Sequence, residues 1–156
     1  MESTRNQPGP VFANVAVRCV LAAGAIERPL VFSNNDRPGV MLASALRTYA
    51  NRFAVAPDKR AVIVTNNDTA YQAALDLAAA GVAVTVADHR NNVSADILTR
   101  AGAQGIAIFP GTGIFDVDGA KGVKRVKLGG VHSVTIECDA VGMAGGWSPR
   151  SEEHTS

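Results

Sequence analysis

Two places in the chain combine residue types and spacing that can do chemistry. The first is Ala22-Ala23-Gly24-Ala25, where a valine-rich apolar run ends without side chains of any size. A backbone or a cofactor can come very close to such a strand tip. Polar groups follow at once: Glu27 and Arg28, then Asn34, Asn35, Asp36 and Arg37. The second place is Thr65 to Tyr71, T-N-N-D-T-A-Y, between a run of strand character and a helical pattern. A dinucleotide fingerprint sets G-x-G-x-x-G at this point, because the glycines allow the tight turn and the approach of the pyrophosphate. Here the loop has no glycine. Asn66 and Asn67 tolerate a left-handed turn, but Asp68 brings a negative charge to where phosphates would sit. Asp88 follows about 20 residues later, where a ribose-binding acid would stand. Two readings stay open: a competent dinucleotide site, or a retained fold whose site is lost or altered.

The other candidates are weaker. His89, His132 and His154 form no ligand cluster, and no metal site is expected. Asp116 and Asp118 sit in the glycine-rich stretch Gly111 to Gly119 and read as loop-shaping residues. Lys121, Lys124, Arg125 and Lys127 read as a solvated hairpin face. Gly113 opens no phosphate loop, since no Gly-Lys-Ser/Thr follows at the required spacing. Ser33 and Ser44 have no local histidine partner, so no residue is assigned to catalysis. Trp147 either packs on a ring-shaped ligand or covers a domain edge.

Composition narrows the classes. The chain has 156 residues, 47% hydrophobic and 19% charged, with a net charge of +1. That allows one domain, or a lobe of a larger protein, with a real core. It offers no basic field for nucleic acid or an anionic membrane. No apolar run reaches the ~18 residues of a membrane span, and the polar start lacks a secretory h-region. Cys19 and Cys138 lie in or beside apolar strand-like runs and read as buried free thiols, which fits a reducing, cytoplasmic setting. Residues 1–14 read as a disordered or non-native leader. Residues 150–156, R-S-E-E-H-T-S, break abruptly from the apolar run before them and resemble the translation of a sequencing adapter, so they are set aside.

The elements that must position these residues follow from periodicity. Val15 to Ala22 reads as a buried strand with a turn at Gly24. Asp36-Arg37-Pro38-Gly39 is a turn signal, and Gly39 to Asn51 carries apolar residues at helical spacing. Val55 to Lys59 is a loop. Arg60 to Thr65 is a strand, Thr69 to Ala80 a helix ended by Gly81, and Val82 to Ala87 a second strand. These form a βαβ unit of about 30 residues with a right-handed crossover. Ser94 caps a helix from Ala95 to Ala101 closed by Gly102, and Gly105 to Phe109 is a further strand. The alternation predicts an α/β fold with a Rossmann-like parallel sheet. Val123 to Leu128 and Val131 to Cys138 read as an antiparallel hairpin turning at Gly129-Gly130. Asp139 to Ala144 is a last apolar run.

Three stretches together carry a family resemblance: LAAGAIERPLVFSNNDRPGVMLASALRTY, KRAVIVTNNDTAYQAALDLAAAGVAVTVADHR and CDAVGMAGGWSP. Over about Val15 to Pro149 the chain resembles the alpha subunit of heterotetrameric sarcosine oxidase, and the E-R-P-L-V-F-x-N-N-D-R-P-G-V-M run is its most specific part. The resemblance implies an internal fragment of a long subunit similar to the two-dinucleotide-domain flavoprotein reductases. Residues 15–53 and 139–149 would then be remnants of a first FAD/NAD-binding domain, and residues 54–138 an inserted Rossmann-like, NAD-domain-like lobe. It implies oxidative demethylation of sarcosine to glycine, with hydrogen peroxide and either formaldehyde or methylene-tetrahydrofolate. FAD and FMN would serve in the full complex, NAD in the alpha subunit, and tetrahydrofolate as one-carbon acceptor. The implied partners are beta, gamma and delta subunits and a small-molecule substrate. The two closing walls of a nucleotide site would be Ala22, Ala23, Gly24 and Ala25, and Ala144, Gly145, Gly146 and Trp147. The fragment alone is expected to be inactive. A related amine or opine dehydrogenase subunit, or a scaffold serving only subunit contact, are the alternatives.

Overall fold

The computed structural model describes residues 18, 20, 22–57 and 59–150. In chain order the elements are β1 (Ala25–Glu27), β2 (Val40–Leu42), α1 (Ala43–Phe53), β3 (Arg60–Thr65), α2 (Ala70–Ala79), β4 (Ala83–Asp88), α3 (Ala95–Ala103), β5 (Ala107–Pro110), β6 (Thr112–Asp118), β7 (Arg125–Gly130), β8 (Val134–Glu137), β9 (Ala140–Ala144) and β10 (Trp147–Pro149). Strands β2-β9-β3-β4-β5 form a parallel sheet, β6-β7-β8 an antiparallel sheet, and β1-β10 a two-stranded antiparallel ribbon. The leader, most of the expected Val15–Ala22 strand, Cys19, and all but Arg150 of the tail lie outside the described residues.

Side-chain alternation along β3 builds the layers. Ala61 and Ile63 join the helices, packing with Leu46 of α1, Leu77 of α2 and Ala101 of α3. Val62 and Val64 point to the other face and meet Ile114, Val117, Val126 and Leu128 of the antiparallel sheet. Both faces are thus covered, which is why A-V-I-V-T reads as an unbroken apolar run. In α2, Ala70, Ala73, Ala74 and Leu77 recur at helical spacing and are all buried. The small alanines let this helix lie close to the sheet. Ser94 caps α3 as the spacing predicts, its hydroxyl accepting from the Ile97 amide.

The structure corrects the sequence reading at several points. The helical pattern from Gly39 splits: Val40–Leu42 is a strand paired parallel to β9, with Val40 opposite Val141, and the helix begins only at Ala43. Three apolar residues fit either period, and pairing with β9 selects the strand. Helix α3 runs through Gly102 to Ala103, and the left-handed residue that follows is Gly105, at φ 70°. The Gly111–Gly119 stretch is largely strand, not loop, with Thr112 to Asp118 paired to β7. Its glycines make room for rings: a Cβ on Gly113 would sit 2.5 Å from the His89 ring, and Gly129 opposite lies under Phe115. Gly129 and Gly130 belong to β7, and the chain reverses at residues 131–133.

Strand β9 lies between β2 and β3, so residues 40–53 and 140–144 share one sheet and one helix-side core with the βαβ unit. The close packing of α1 on this sheet depends on Gly142. A Cβ there would fall 2.5 Å from Ile63 Cδ1 and 2.9 Å from Leu46 Cδ1. Gly142→Ala is therefore expected to destabilise the fold by about 1–3 kcal/mol, measured by urea unfolding with an unchanged m-value.

Candidate functional site

The carboxyl ends of β9, β3 and β4 converge on the loop from Asn66 to Thr69. In a nucleotide-binding fold the amides here face phosphate. In this chain those of Asn66, Asn67 and Thr69 are committed internally. The Asn66 amide donates to Ala144 O at 3.4 Å. The Asn67 amide donates to Thr65 Oγ1 at 3.0 Å, and the Thr69 amide to Asn67 Oδ1 at 3.1 Å. Asn67 Nδ2 also reaches Ala144 O at 3.1 Å. The asparagines thus replace the glycine turn with a side-chain-closed one.

Asp88, in the position of a ribose acid, is fully buried. Both its oxygens are occupied. Oδ1 accepts from the Arg90 amide at 2.9 Å and from Arg90 Nε at 3.1 Å. Oδ2 accepts from the Tyr71 hydroxyl at 2.9 Å and from the Arg90 guanidinium at 2.8 Å. The same guanidinium lies 2.7 Å from Asp68. Asp88 first, with Asp68, raises the Arg90 pKa above the ordinary guanidinium value, against the opposing effect of burial. Burial first, then Asp88, pushes the Tyr71 phenol up, so it stays a donor. Arg90 therefore bridges the two carboxylates across the mouth of the slot. A cleft of about 430 Å³ lies beside it between α2 and α3, with Leu75, Ile97 and Ala101 among its lining.

The two expected cofactor walls adjoin the two strands of one ribbon, but its register does not set them opposite each other. Glu27 pairs with Trp147 and Ala25 with Pro149 across the ribbon. The Arg28 amide donates to Gly146 O, and the Gly145 amide to Arg28 O, each at 2.8 Å. Within the walls the residues differ. Ala144 is buried, and Gly145 packs against the backbone of Arg28 and Pro29. Ala22, Ala23, Gly24 and Ala25 are exposed. Gly24 and Gly146 hold φ of 74° and 96°, with nothing within 4 Å of an added Cβ. Trp147 is 43% exposed, and its Nε1 donates to Thr69 Oγ1 at 2.9 Å.

Sequence reasoning missed what the polar cluster does. Glu27 is only 5% exposed. Its Oε2 accepts from the Ser44 amide at 2.9 Å, so it caps α1, whose own N-cap residue, Leu42, offers no side-chain acceptor. The only sequence signal was Leu42 where a capping residue belongs. Asn34, at φ 61°, donates to Asp116 at 2.7 Å. Arg37 donates to Gly119 O. The Asn-Asn-Asp-Arg run thus buttresses the antiparallel sheet, with Lys127 bound to Asp116 at 2.9 Å. Asp116 and Asp118 act through these cross-strand ion pairs. His132 packs edge-on to Phe109 at 5.5 Å. Among the described residues no group of three metal-ligating side chains occurs. Cys138 is a buried free thiol, and burial pushes it up to about 12. No helix among the described residues is long and apolar enough to cross a membrane.

No family model matches the chain. Sarcosine oxidase subunit alpha of Rhizobium meliloti (strain 1021) is 44% identical over 137 residues, 86% of this chain. The same subunit of Corynebacterium sp. (strain P-1) is 39% identical over 149 residues, 90% of this chain. Over most of its length this segment is similar to sarcosine oxidase alpha subunits. It spans only 13% and 15% of the length of those two relatives. The fold is shared with solved reductases. Lactococcus lactis thioredoxin reductase matches with a TM-score of 0.67 at 19% identity, over 83% of this chain and 44% of that one. A ferredoxin reductase from Rhodopseudomonas palustris matches with a TM-score of 0.66 at 22% identity, over 84% and 35%.

Arg90→Ala would leave Asp88 buried with Tyr71 and one amide, and is expected to cost about 2–3 kcal/mol. Tyr71→Phe, which leaves the ion pair whole, is expected to cost about 1 kcal/mol, both read by chemical denaturation. Lys127 first, then Asn34, holds the Asp116 carboxyl below the usual carboxylate range. Such a depressed group stabilises above its unfolded pKa of about 3.9 and loses that contribution as pH falls through its folded value. Melting temperature should therefore fall in this acid range, and Asp116→Asn should flatten that limb when melting curves are compared across it.

Proposed function

We propose that this chain is the cofactor-scaffolding portion of an oxidoreductase subunit, acting within a complex that oxidatively demethylates sarcosine. The observation that carries this reading is the 44% identity to a sarcosine oxidase alpha subunit over most of the chain. The products would be glycine, hydrogen peroxide and a one-carbon unit, released as formaldehyde or taken up as methylene-tetrahydrofolate. Beta, gamma and delta subunits would be the partners. FAD and FMN, held in the full complex, supply the electron transfer when bound. The chain's own residues bind and orient.

Residues 40–144 are proposed as a single nucleotide-domain-like body, with the β1-β10 ribbon leading to the other domain. Support comes from the shared sheet of β2, β9 and β3. This moves the domain junctions to the ribbon from the boundaries at 53 and 139. A nucleotide such as NAD fits the open backbone at Ala22 to Ala25 and at Gly146, with Trp147 beside it and Ala144 and Gly145 holding the wall in place. It does not fit the Asn66–Thr69 loop, where the Asn66, Asn67 and Thr69 amides and the neighbouring Asp88 carboxylate are already paired.

Half a site binds weakly. Isothermal calorimetry with NAD is expected to show weak or no binding by the isolated chain, and a sarcosine-dependent peroxide assay no turnover. Tight stoichiometric NAD binding would sink the wall assignment.

A further inference from the structure

Glu27 and Trp147 stand opposite one another on the ribbon and both line a second cleft, of about 360 Å³, between the first turns of α1 and α2. Its floor is Ala43, Ala70 and Ala73, which bring no polar side-chain atoms. The polar groups around it are already sorted. Arg47, at the rim, is neutralised by Asp76 at 2.6 Å. Gln72 Nε2 donates to the same Asp76 at 2.7 Å, which leaves the Gln72 carbonyl oxygen as an acceptor. The Thr69 hydroxyl donates to Asn67 and accepts from Trp147.

Glu27 is the exception. Among the described residues it has no cationic partner, and only its Oε2 is hydrogen-bonded. The residue is 5% exposed, yet its second oxygen is not among the buried polar side-chain atoms left without a partner, so that oxygen keeps contact with solvent. A ligand donor can therefore reach it and form a charge-assisted hydrogen bond. The cleft therefore presents a carboxylate with one oxygen not hydrogen-bonded, a further carbonyl acceptor, an apolar floor and one indole. That set suits an ammonium group, which donates to carboxylate and is attracted to the face of tryptophan. It repels anions. The volume is at the low end of small-ligand sites, enough for a single ring or a short chain.

We propose that this cleft is a binding site for a small organic ammonium ion, which donates to Glu27 and lies against Trp147. The site lies between the ribbon and the helices and does not require the cofactor reading. An NAD titration can fail while an ammonium titration succeeds, and the reverse.

Trp147 is the single tryptophan of the chain, so its emission reports the cleft directly. The test titrates the chain with benzylammonium, and with benzyl alcohol as the uncharged analogue, by fluorescence and in parallel by calorimetry. Benzylammonium is expected to bind saturably. Benzyl alcohol should bind about tenfold more weakly or worse, as loss of a charge-assisted hydrogen bond implies. Glu27→Gln keeps an oxygen for the Ser44 amide, so the cap and the fold should hold, with a small drop in melting temperature from the lost charge, while benzylammonium affinity falls by a similar factor. The proposal is overturned if neither method shows saturation, if the alcohol binds as well as the amine, or if a folded Glu27→Gln variant binds undiminished. If that variant does not fold, the comparison of amine with alcohol on the unaltered chain decides.

Discussion

Strand β9 is hydrogen-bonded on both sides and buried along its whole length. The rest of the structure depends on that insertion. A central parallel strand must satisfy every amide and carbonyl against its neighbours, because no water reaches them. β9 does so against β2 on one side and β3 on the other. It holds β2 in the sheet, and with it the start of α1. Its last carbonyl, on Ala144, receives Asn66 and Asn67 and so shapes the loop above the sheet. Just before it, Asp139 accepts from the amides of Lys59 and Arg60 at 3.1 and 2.9 Å, tying the strand's entry to that of β3.

The loop and its neighbours show how a nucleotide fold persists without its usual loop. A glycine loop leaves amides free for phosphate. Here the Ala144 carbonyl and the Thr65 and Asn67 side chains take three of those amides, and Arg90 supplies the positive charge that Asp68 and Asp88 require. A buried carboxylate must be paired, and once Arg90 and Tyr71 pair it, no acceptor site remains for a ribose hydroxyl. The polarity of the slot is preserved while its partners have become internal.

The ribbon carries the opposite condition. Gly24 and Gly146 leave open space over their backbones, while Glu27 and Trp147 reach down to α1 and α2. Glu27 places a negative charge at a helix N-terminus, where it is favourable. The ribbon is thereby fixed to the helical layer, and its small residues remain accessible.

Local sequence determined much of this. Arg60–Thr65 was legible as a strand because both its faces are buried, and α2 because alanine and leucine recur at helical spacing. Ser94 announced its helix by chemistry that acts within three residues. The small-residue runs were also legible, but not their register, which sets Ala25 against Pro149 and Gly145 and Gly146 against Arg28. What the sequence left undecided lies between distant residues. Val40–Leu42 satisfied two periods, and only β9, about a hundred residues on, made it a strand. Gly111 and Gly113 signal a loop locally, yet pairing with β7 makes strand of most of that stretch. The role of Glu27 is absent from its surroundings, since the helix it caps begins sixteen residues later. Propensity and periodicity act over a few residues. Caps supplied from another element, paired carboxylates and central strands form only when the chain closes on itself, and there the tertiary structure alone decided.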